Sequence, residues 1–505
     1  MRPVLNWITN LTGALVWGVV LITLFGVGLR LLQVKLFYEP RPPEHLEQKQ
    51  QYLESVAAEH RVDGRDVPNF IVVFFDDLGY GDLSSYGNQL IQTPRIDALA
   101  ASGLRMTEFY ASANVCTPSR AGLLTGRLPH RSGTGTHVFF SEESPIATFR
   151  KFMGAGNEIL ADEILLPEAL GAAGYATGMV GKWHLGGTPG FLPNDFGFDS
   201  YYGVLWSNDM QPLHVYRDRE IEIEDGTEKN SGRSYRDEED PRPLRGIDQS
   251  QLTENYTDEA VRFIEANHDR AFFLYLAHSM PHVPHYASAK FAGTSEGGVY
   301  GDVVEDLDRS VGKIVDALER LGLADNTLLL VTSDNGADYG GSPGFLRGRK
   351  GEILEGGQRV PMVASWPGRI PPSESGAMAM NTDFLPTLLG LAGVPLPSDR
   401  VIDGRDLTPL FTRNAASPHE YLYYLAPSLL PGGPVVGAVR DARFKYLVSS
   451  GDQGRDRPHL TRLDADRENH DLRHKHPADA ERLASAARAM QGALSANVRG
   501  WRPAP

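Results

Sequence analysis

Asn69-Phe70-Ile71-Val72-Val73-Phe74-Phe75-Asp76-Asp77 is a continuous apolar run that ends in two aspartates. Such a run is typical of a strand buried on both faces of a parallel sheet. A second run, Thr327-Leu328-Leu329-Leu330-Val331-Thr332, is followed by Ser333-Asp334-Asn335-Gly336. In open α/β sheets the ligand crevice lies at the carboxyl ends of the strands. We therefore predict that the two acidic clusters converge on one site.

The chain between and around these runs alternates between helical and strand-like patterns. Apolar residues at helical spacing predict helices over Thr93–Ser102, Tyr256–Ala266 and Tyr300–Leu321. Further buried strands are predicted over Ala271–Leu276 and at the end of Ala173–Val180. This succession predicts an α/β sandwich. The charged stretch Ile221–Arg245 is predicted to be a surface insertion.

The last ninety residues have a different pattern, with shorter strand-like runs and one long helix. The strands are predicted over Glu420–Leu425, Val435–Arg440 and Phe444–Val448, and the helix over Ala478–Ala496. We therefore predict a catalytic domain over residues 67–415 and a small C-terminal α+β subdomain over 416–505.

The N-terminal segment predicts a membrane anchor. No charged residue lies between Val4 and Leu29, and this length is enough to span a bilayer. No small-x-small cleavage site follows, so we predict an uncleaved anchor over residues 1–38. A polar linker is predicted over 39–66, helical near Glu47–Ala58. Charge counting alone would keep the C-terminal side of this anchor in the cytoplasm, because more basic residues follow it than precede it.

The composition of the chain narrows the classes of protein to consider. With 505 residues, of which 41% are hydrophobic, the chain can bury a large core. The formal net charge of −15 argues against nucleic acid as a partner, because phosphate binding needs a basic face. The single cysteine excludes a disulfide-stapled scaffold. An anionic substrate would need a locally basic pocket.

The single cysteine, Cys116, lies just before a predicted helix start and close to Arg120. A free cysteine is usually a small buried hydrophobe. A helix N-terminus and an arginine would instead favour the thiolate. The order Cys116-Thr117-Pro118-Ser119-Arg120, with Leu-Leu-Thr-Gly-Arg following at 123–127, resembles the signature of the type I sulfatases. In that family the cysteine at this position is oxidised to formylglycine, the catalytic nucleophile.

The four polar residues at the two strand ends, Asp76, Asp77, Asp334 and Asn335, are candidate metal ligands. They offer only oxygen atoms, which suit a hard divalent cation such as Ca²⁺ or Mg²⁺ and not zinc. Taken singly, each of them could equally be a turn or helix-cap residue. Both segments resemble the metal-binding segments of the sulfatases. The resemblance implies Ca²⁺ as the usual ion, with Mg²⁺ as the alternative, and adds residue Cys116 to the ligands.

Three further segments resemble sulfatase motifs that carry catalytic residues. Gly181-Lys182-Trp183-His184 places a cation and an imidazole two residues apart, so both side chains would point to one side of an extended segment. The resemblance selects His282, with His278 and His285 as bystanders, and it selects Lys350 as a substrate-binding lysine. Arg349 stands where the family commonly has glycine. This extra charge would either assist a more anionic substrate or be a solvated rim residue.

Together the motifs resemble the formylglycine-dependent, arylsulfatase A-like sulfatases of the alkaline phosphatase superfamily, from Asn69 to about Leu472. The resemblance implies an α/β fold, an alkaline-phosphatase-like sandwich with a large mixed central sheet flanked by helices. It also implies a mechanism for hydrolysis of sulfate monoesters. The hydrated aldehyde at 116 attacks sulfur while Arg120, Lys182 and Lys350 neutralise the sulfate oxygens. His282 and Lys350 protonate the leaving group, and His184 then releases the covalent sulfate.

The sequence thus predicts a sulfatase acting on a sulfated small molecule or glycan, with a formylglycine-generating enzyme as its maturation partner. Two alternatives stay open: a phosphonate monoester or phosphodiester hydrolase of the same superfamily, and an inactive, anchored binding protein. The resemblance implies an exported catalytic domain, so we expect a periplasmic or extracellular location, with the N-terminal helix in the membrane.

Overall fold

The computed structural model describes residues 16–503 except 18, 22, 31–32, 34–41, 63, 65–66, 136–137, 226–246, 427–434, 449–457 and 465–467. Its largest element is an eleven-stranded mixed sheet. In chain order these strands are β1 (Asn69–Phe75), β2 (Leu104–Tyr110), β3 (Ala176–Gly181), β4 (Ser200–Gly203), β5 (Val215–Arg217), β6 (Glu220–Ile223), β7 (Phe272–Ala277), β8 (Thr327–Ser333), β9 (Arg359–Ser365), β10 (Ser373–Ser375) and β11 (Ala379–Met380).

The strand order is β10-β2-β9-β8-β1-β7-β3-β4-β5-β6, with β11 also paired to β2. The central strands β8, β1, β7, β3 and β4 are parallel, whereas β9 runs antiparallel to both β8 and β2. β1, β7 and β8 are buried along their whole length. The strands predicted from the three apolar runs are therefore confirmed, and they lie side by side.

Helices cover both faces of this sheet. From residue 46 onward, the helices of the described chain are α1 (Leu46–Glu59), α2 (Pro94–Ser102), α3 (Cys116–Thr125), α4 (Pro145–Phe152), α5 (Leu166–Ala172), α6 (Leu252–Ala266), α7 (Gly298–Arg320), α8 (Glu355–Gln358), α9 (Phe384–Leu391), α10 (Thr408–Arg413) and α11 (Pro477–Ala496), the last of which belongs to the C-terminal part of the chain. The three predicted helices of the catalytic domain correspond to α2, α6 and α7.

Alternate residues of β1 belong to two separate apolar cores. Phe70, Val72 and Phe74 join the core that contains α3, α5 and α9. Ile71, Val73 and Phe75 join the core that contains α6 and α7. A strand with two buried faces needs apolar residues at every position, which explains why the run is continuous instead of alternating.

The predicted surface insertion at Ile221–Arg245 begins differently from the prediction. Glu220–Ile223 forms β6, which pairs antiparallel with β5 at the edge of the main sheet. All four residues of β6 are exposed, so the start of the stretch lies at the surface as predicted, but in an edge strand, which can carry charged residues. Residues 226–246 of the stretch lie outside the described residues.

The C-terminal part forms a four-stranded antiparallel sheet of β12 (Leu422–Ala426), β13 (Val435–Arg440), β14 (Phe444–Leu447) and β15 (His459–Arg462). Helix α11 packs on it through a separate apolar cluster that includes Phe444, Leu460, Leu483 and Leu494. This is the small α+β unit that the sequence predicted. The exact boundaries at 66 and 415 stay predictions.

A buried cluster of charges joins the C-terminal sheet to the main domain. Lys445 on β14 is fully buried and lies 3.1 Å from Glu355 and 2.9 Å from Glu468. Its Nζ atom also donates to the Ile353 carbonyl at 2.7 Å, and Arg347 donates to the Glu468 carbonyl at 2.6 Å. The C-terminal unit therefore supports the segment 347–358, in which Lys350 lies.

Helix α1, in the predicted linker, packs against the catalytic domain. Val56 is fully buried in the main core, and Lys49 pairs with Glu168 of α5 at 2.6 Å. The Val62 N–H donates to the Ala173 carbonyl at 2.8 Å, immediately before β3 begins. The segment therefore lies at the amino ends of the parallel strands, away from the edge at which Asp76 and Asp334 follow β1 and β8.

The predicted anchor, residues 1–38, lies largely outside the described residues. Those that are described at 16–17, 19–21, 23–30 and 33 are helical. Within the described part of the chain, no helix combines the length and apolar character that crossing a bilayer requires.

Candidate active site

The two acidic clusters meet at the carboxyl ends of β1 and β8. These strands are parallel neighbours in register, with Phe75 opposite Ser333, so the residues that follow them lie side by side. The Asp77 N–H donates to Asp334 Oδ1 at 3.1 Å, and Asn335 Nδ2 donates to Asp77 Oδ1 at 2.7 Å. All three side chains are at least 99% buried. The predicted convergence is therefore confirmed.

Cys116 is the first residue of α3 and reaches the same cluster. Its Sγ atom donates to Asp76 Oδ1 at 3.3 Å and lies 3.9 Å from Asp77 Oδ1. Burial, and then the charge of Asp76, raise the pKa of the Cys116 thiol well above its usual range. The expectation of a thiolate was wrong, because desolvation and the neighbouring carboxylate outweigh the helix N-terminus. The residue is placed as a thiol among carboxylates.

Arg120 is one turn further along α3 and fully buried. Its Nε and Nη2 atoms donate to Asp334 Oδ2 at 3.0 and 2.8 Å, and Nη1 donates to the Lys182 carbonyl at 2.9 Å. The guanidinium group therefore orients a candidate metal ligand and the lysine segment. In this structure its contacts are with the protein, and the role of holding sulfate oxygens stays a prediction.

Lys182 and Lys350 each pair with one of the two aspartates after β1. Lys182 Nζ lies 2.6 Å from Asp76 Oδ2, and Lys350 Nζ lies 2.7 Å from Asp77 Oδ2. Burial lowers the pKa of each lysine, but the surrounding negative charges, of which Asp76 is the largest at Lys182 and Asp77 the largest at Lys350, together outweigh burial and leave both pKa values raised. Both lysines are therefore cations at neutral pH. With the Arg120–Asp334 pair, the site holds three cations and three carboxylates.

His184 is buried beside this cluster, and its geometry differs from the extended segment assumed from the sequence. It has φ of 61°, and its N–H donates to the Leu205 carbonyl at 2.9 Å. Its Nε2 atom is 2.9 Å from the Phe139 carbonyl, whereas Lys182 turns to Asp76, so the two side chains have separate partners. The prediction that both side chains point to one side assumed an extended segment, and the positive φ of His184 does not fit that assumption.

The protonation state of His184 follows from its surroundings. Burial, and then the charges of Lys182 and Arg120, lower the pKa of His184 well below 6.5. Its Nδ1 atom has no hydrogen-bond partner among the described residues. A buried imidazole that is neutral and has one free ring nitrogen is able to accept a proton.

His282 is the histidine of its segment that reaches the aspartates. Its Nε2 atom lies 3.7 Å from Asp77 Oδ2, and its Nδ1 atom lies 2.6 Å from the Val283 carbonyl. His278 instead lies 3.1 Å from Ser310 Oγ, and His285 packs edge-on against the Tyr300 ring. The structure therefore places His282, and not the two bystanders, at the site.

The residues that could hold a metal ion form a compact group. One ligand atom each from Asp76, Asp77, Cys116 and His282 lies within 4.8 Å of all the others. Asp334 and Asn335 border this group, and the buried Oδ1 atom of Asn335 has no hydrogen-bond partner among the described residues. An orphaned amide oxygen beside buried carboxylates fits a hard divalent cation. His282 was not among the predicted ligands.

Two residues of the site were not assigned a role from the sequence. Ser207 Oγ lies 3.2 Å from Lys182 Nζ and 3.4 Å from His282 Nε2, so it connects two candidate catalytic groups. Asp82 accepts from the N–H groups of Gly79 and Ser342 and from the Tyr300 hydroxyl at 2.6–2.7 Å. It joins the loop after Asp77 to the loop before Lys350. In the sequence, the only indication of a role for Asp82 was its position at the end of the string Asp-Asp-Leu-Gly-Tyr-Gly-Asp.

Arg349, the departure from the family pattern, braces the neighbouring loop. Its Nη1 atom donates to the carbonyls of Asp338 and Gly341 at 2.9 and 2.8 Å, and its guanidinium group lies over the Tyr339 ring. These contacts give it a structural role in the loop before Lys350, which neither of the two predicted roles included.

The fold and this site define an enzyme of the alkaline-phosphatase-like class, in which a nucleophile, carboxylates and cations meet at the carboxyl ends of parallel strands. The sequence pattern described as Sulfatase matches residues 68–394, and that described as N-sulphoglucosamine sulphohydrolase, C-terminal, matches 349–449. The chain belongs to the sulfatase family. It is a sulfuric ester hydrolase of an arylsulfatase-like family whose members generally use formylglycine and a metal ion.

Individual relatives agree with this assignment. The chain is 41% identical to rat N-acetylgalactosamine-6-sulfatase over 72% of this chain and 69% of the relative. It is 38% identical to human arylsulfatase A over 75% of this chain and 74% of the relative. The solved structure of PsFucS1 sulfatase from Pseudoalteromonas sp. matches 90% of this chain and 95% of that chain, with 26% identity and a TM-score of 0.70.

The alternative of a phosphonate hydrolase has weaker support. A phosphonate monoester hydrolase from Silicibacter pomeroyi matches with 19% identity and a TM-score of 0.60, which is a likeness of fold. Rat N-acetylgalactosamine-6-sulfatase and human arylsulfatase A, at 41% and 38% identity, are about twice as similar in sequence, so the sulfatase assignment takes precedence.

Proposed function

We propose that this sulfatase is activated by oxidation of Cys116 to formylglycine, binds Ca²⁺, and removes sulfate from a sulfated glycan outside the cytoplasm. The observation that carries the proposal is the position of Cys116, at the start of α3 and 3.3 Å from Asp76. The cations Lys182 and Lys350 flank the two aspartates that it faces. A nucleophile at residue 116 would therefore meet an anionic substrate beside two cationic side chains.

The charge balance of the site supports an anionic substrate. The pairs Asp76–Lys182, Asp77–Lys350 and Asp334–Arg120 match three carboxylates to three cations. A divalent cation held by Asp76, Asp77, Asp334 and Asn335 would make the site positive by two charges. When bound, such an ion polarises the nucleophile and the sulfate oxygens. The two lysines would neutralise the oxygens of the sulfate ester, whose single negative charge is attracted by this excess positive charge.

Proton transfer follows from the positions of the two histidines. His282 Nε2 and Lys350 Nζ both contact Asp77 Oδ2, so the two groups lie together and are placed to protonate the leaving oxygen. His184 Nδ1 has no hydrogen-bond partner in the described chain. It would take the proton from residue 116 in the second step, when sulfate leaves.

The substrate class is proposed from the relatives. One is named N-acetylgalactosamine-6-sulfatase, which acts on a sulfated amino sugar by its name. We propose a sulfated glycan or a fragment of one, with the aryl sulfates as simple test substrates. The formylglycine-generating enzyme is proposed as the maturation partner.

The location is proposed from the N-terminal sequence and the resemblance. The uncharged stretch between Val4 and Leu29 would anchor the protein, with the catalytic domain in the periplasm or outside the cell. Protease treatment of intact and of opened cells tests this: cleavage of the catalytic domain only after the inner membrane is opened would overturn the exported orientation.

The direct test of function is hydrolysis of paired substrates by the full chain, coexpressed with a formylglycine-generating enzyme and purified in detergent. We expect turnover of 4-nitrophenyl sulfate to exceed that of 4-nitrophenyl phosphate and of its phosphodiester. Faster phosphoester hydrolysis by protein with confirmed aldehyde at 116 would assign the chain to the phosphoester hydrolases. No turnover of any ester would favour the inactive binding protein.

Replacement of His184 tests its role as the base of the second step. In His184→Ala we expect one equivalent of phenol to be released rapidly per active enzyme, followed by slow turnover, because sulfate remains on residue 116. Rapid-quench measurement of the phenol and intact mass of the protein check this. If both the rapid release of phenol and the steady-state turnover were lost, His184 would act before or during the first step.

The pH dependence of turnover is expected to reflect the lowered pKa of His184. His184 must be neutral to act as the base. We therefore expect kcat to fall only as the pH falls through the pKa of His184 in the folded protein, which lies well below 6.5. We therefore expect kcat to change less than about twofold between pH 8 and 6.5. The free energy of unfolding should also fall with pH. The histidine of the unfolded chain binds a proton more readily than the buried one, so the unfolded state is favoured as the pH falls below 6.5. A kinetic inflection near 6.5 that disappears in His184→Asn would contradict this.

A further inference from the structure

Lys350 is the most exposed side chain of the candidate active site. It is 17% exposed, whereas its partner Asp77 is 1% exposed. Gly351, the next residue along the chain, is exposed. His282 is 7% exposed, and the residues that follow it at 283–287 are half-buried. The part of a substrate that extends beyond its sulfate group would therefore leave the site past Lys350 and the segment 283–287.

The loop 338–341 borders both of these segments. On one side, the Lys350 N–H donates at 3.0 Å to the carbonyl of the residue before the loop, and Arg349 Nη1 donates to two carbonyls of the loop at 2.9 and 2.8 Å. On the other side, a Cβ atom added to Gly340 would lie 2.5 Å from His285 Cε1, so the backbone of the loop packs directly on that ring. The loop therefore forms part of the rim of the site.

Tyr339 lies within this loop and is the most exposed large apolar side chain of the described chain, at 89%. Single exposed apolar side chains are common on protein surfaces and need no partner. Tyr339 differs because its ring has a fixed neighbour: the Arg349 guanidinium group lies over it, with 5.7 Å between Cζ and the ring centroid. Arg349 is itself anchored by the two loop carbonyls. A ring that is held in place at the rim and still exposed is suited to bind a ligand.

We propose that the Tyr339 ring is a subsite for the unit of the substrate next to the sulfated one, and that this unit is a sugar ring. The inference rests on the proposed sulfatase function and specifies its substrate as a glycan of at least two units. Consecutive Cα atoms are about 3.8 Å apart, so the Cα atom of Tyr339 lies at most about 8 Å from that of the residue hydrogen-bonded to Lys350. A second ring, attached to one held at the sulfate-binding lysines, can cover this distance.

The chemistry of the rim favours an uncharged ring. A sugar ring has apolar C–H faces, which pack on an aromatic ring, whereas its hydroxyl groups point to the edge. The charges beside Tyr339 are of both signs: Arg349 lies over its ring, and Asp338 Oδ1 accepts from the Tyr339 N–H at 2.8 Å. These charges offset each other, so the rim selects neither an anion nor a cation. Recognition would come from the apolar area of the ring.

The test uses two aryl sulfates that differ in one sugar ring, 4-methoxyphenyl sulfate and 4-(β-D-glucopyranosyloxy)phenyl sulfate. Both release a phenol with an oxygen substituent in the same position, so the reacting bond is similar. The full chain, matured with a formylglycine-generating enzyme, is assayed as wild type, Tyr339→Ala and the control Tyr339→Phe, which retains the ring. The measured quantity is the ratio of kcat/KM for the glucosyl and methoxy esters within each protein, so any general loss of activity cancels.

We expect wild type to prefer the glucosyl ester about fivefold, Tyr339→Phe to keep this preference and Tyr339→Ala to abolish it. The gain should be in KM, because the sugar ring is remote from the reacting atoms and binds equally in the ground state and the transition state. No preference in wild type, or the same preference in Tyr339→Ala, would overturn the subsite while leaving the sulfatase function intact. Hydrolysis of neither ester by protein with confirmed aldehyde would overturn both.

Arg349 is expected to act through Tyr339, as a positioning residue. Arg349→Ala should lower the preference for the glucosyl ester about twofold, because the ring loses its fixed neighbour. In the Tyr339→Ala background the same change should have no further effect on the ratio of kcat/KM. An equal effect of Arg349→Ala in both backgrounds would overturn the positioning role, because Arg349 would then contact the sugar itself.

Discussion

Cys116→Ala is expected to lower kcat for 4-nitrophenyl sulfate by about 10⁴-fold or more, because it removes the atom from which the nucleophile is made. Sγ is the only side-chain atom lost, and its described contacts are with the aspartates of the site. The folded structure should therefore survive, with a change in Tm of a few degrees. Steady-state assay of the full chain and a thermal melt measure both effects.

The degree of oxidation at residue 116 provides the control for this experiment. The tryptic peptide Met106–Arg120 contains Cys116, and its mass distinguishes thiol from aldehyde. Wild-type preparations with different aldehyde fractions should have kcat in proportion to that fraction. Activity that is independent of the fraction, or that persists in Cys116→Ala, would exclude the cysteine as the source of the nucleophile.

Asp77→Asn is expected to lower kcat by about 10³-fold and to reduce the metal content of the purified protein. Asp77 is the side chain on which the site is centred: it binds Lys350 and Asn335 at 2.7 Å and lies 3.7 Å from His282. In Asp77→Asn, one oxygen of the charged carboxylate becomes an NH₂ donor, although the three neighbouring side chains are themselves donors. The divalent cation would also lose a carboxylate ligand.

The matched control is Asp325→Asn, the same substitution at an exposed residue before the opposite end of β8. It should retain activity and metal. Treatment of wild type with a chelator should also abolish turnover, and Ca²⁺ should restore more activity than Mg²⁺. Full activity after the metal has been removed would show that the carboxylates are structural, and better recovery with Mg²⁺ would change the proposed ion.

The central strands and the acidic clusters after them were predictable because their signals are local. The residues of β1 and β8 are apolar at consecutive positions, which only a strand buried on both faces requires. Parallel neighbours end at one edge, so Asp76 and Asp334 could be expected to meet. The family motif around Cys116 added the chemistry that neither run contains.

Other features depend on which residues from distant parts of the chain become neighbours. Arg120 precedes Asp334 by more than two hundred residues, and only folding reveals that its guanidinium group is taken up by that carboxylate. The positive φ of His184 likewise has no local signal beyond the glycines around it. Helix α1 was predictable as a helix, whereas its docking on α5 was not.

The sequence by itself predicted the α/β architecture and both acidic clusters, because apolar periodicity is a property of the chain, and its resemblance to the sulfatases supplied the candidate nucleophile and the candidate catalytic lysines and histidines. The tertiary structure decided the ionisation and the partner of each group. Cys116 is a thiol and His184 is neutral because burial removes water and places particular charges within a few ångströms. These pKa shifts depend on distances between groups in space, which cannot be read from the spacing of residues along the chain.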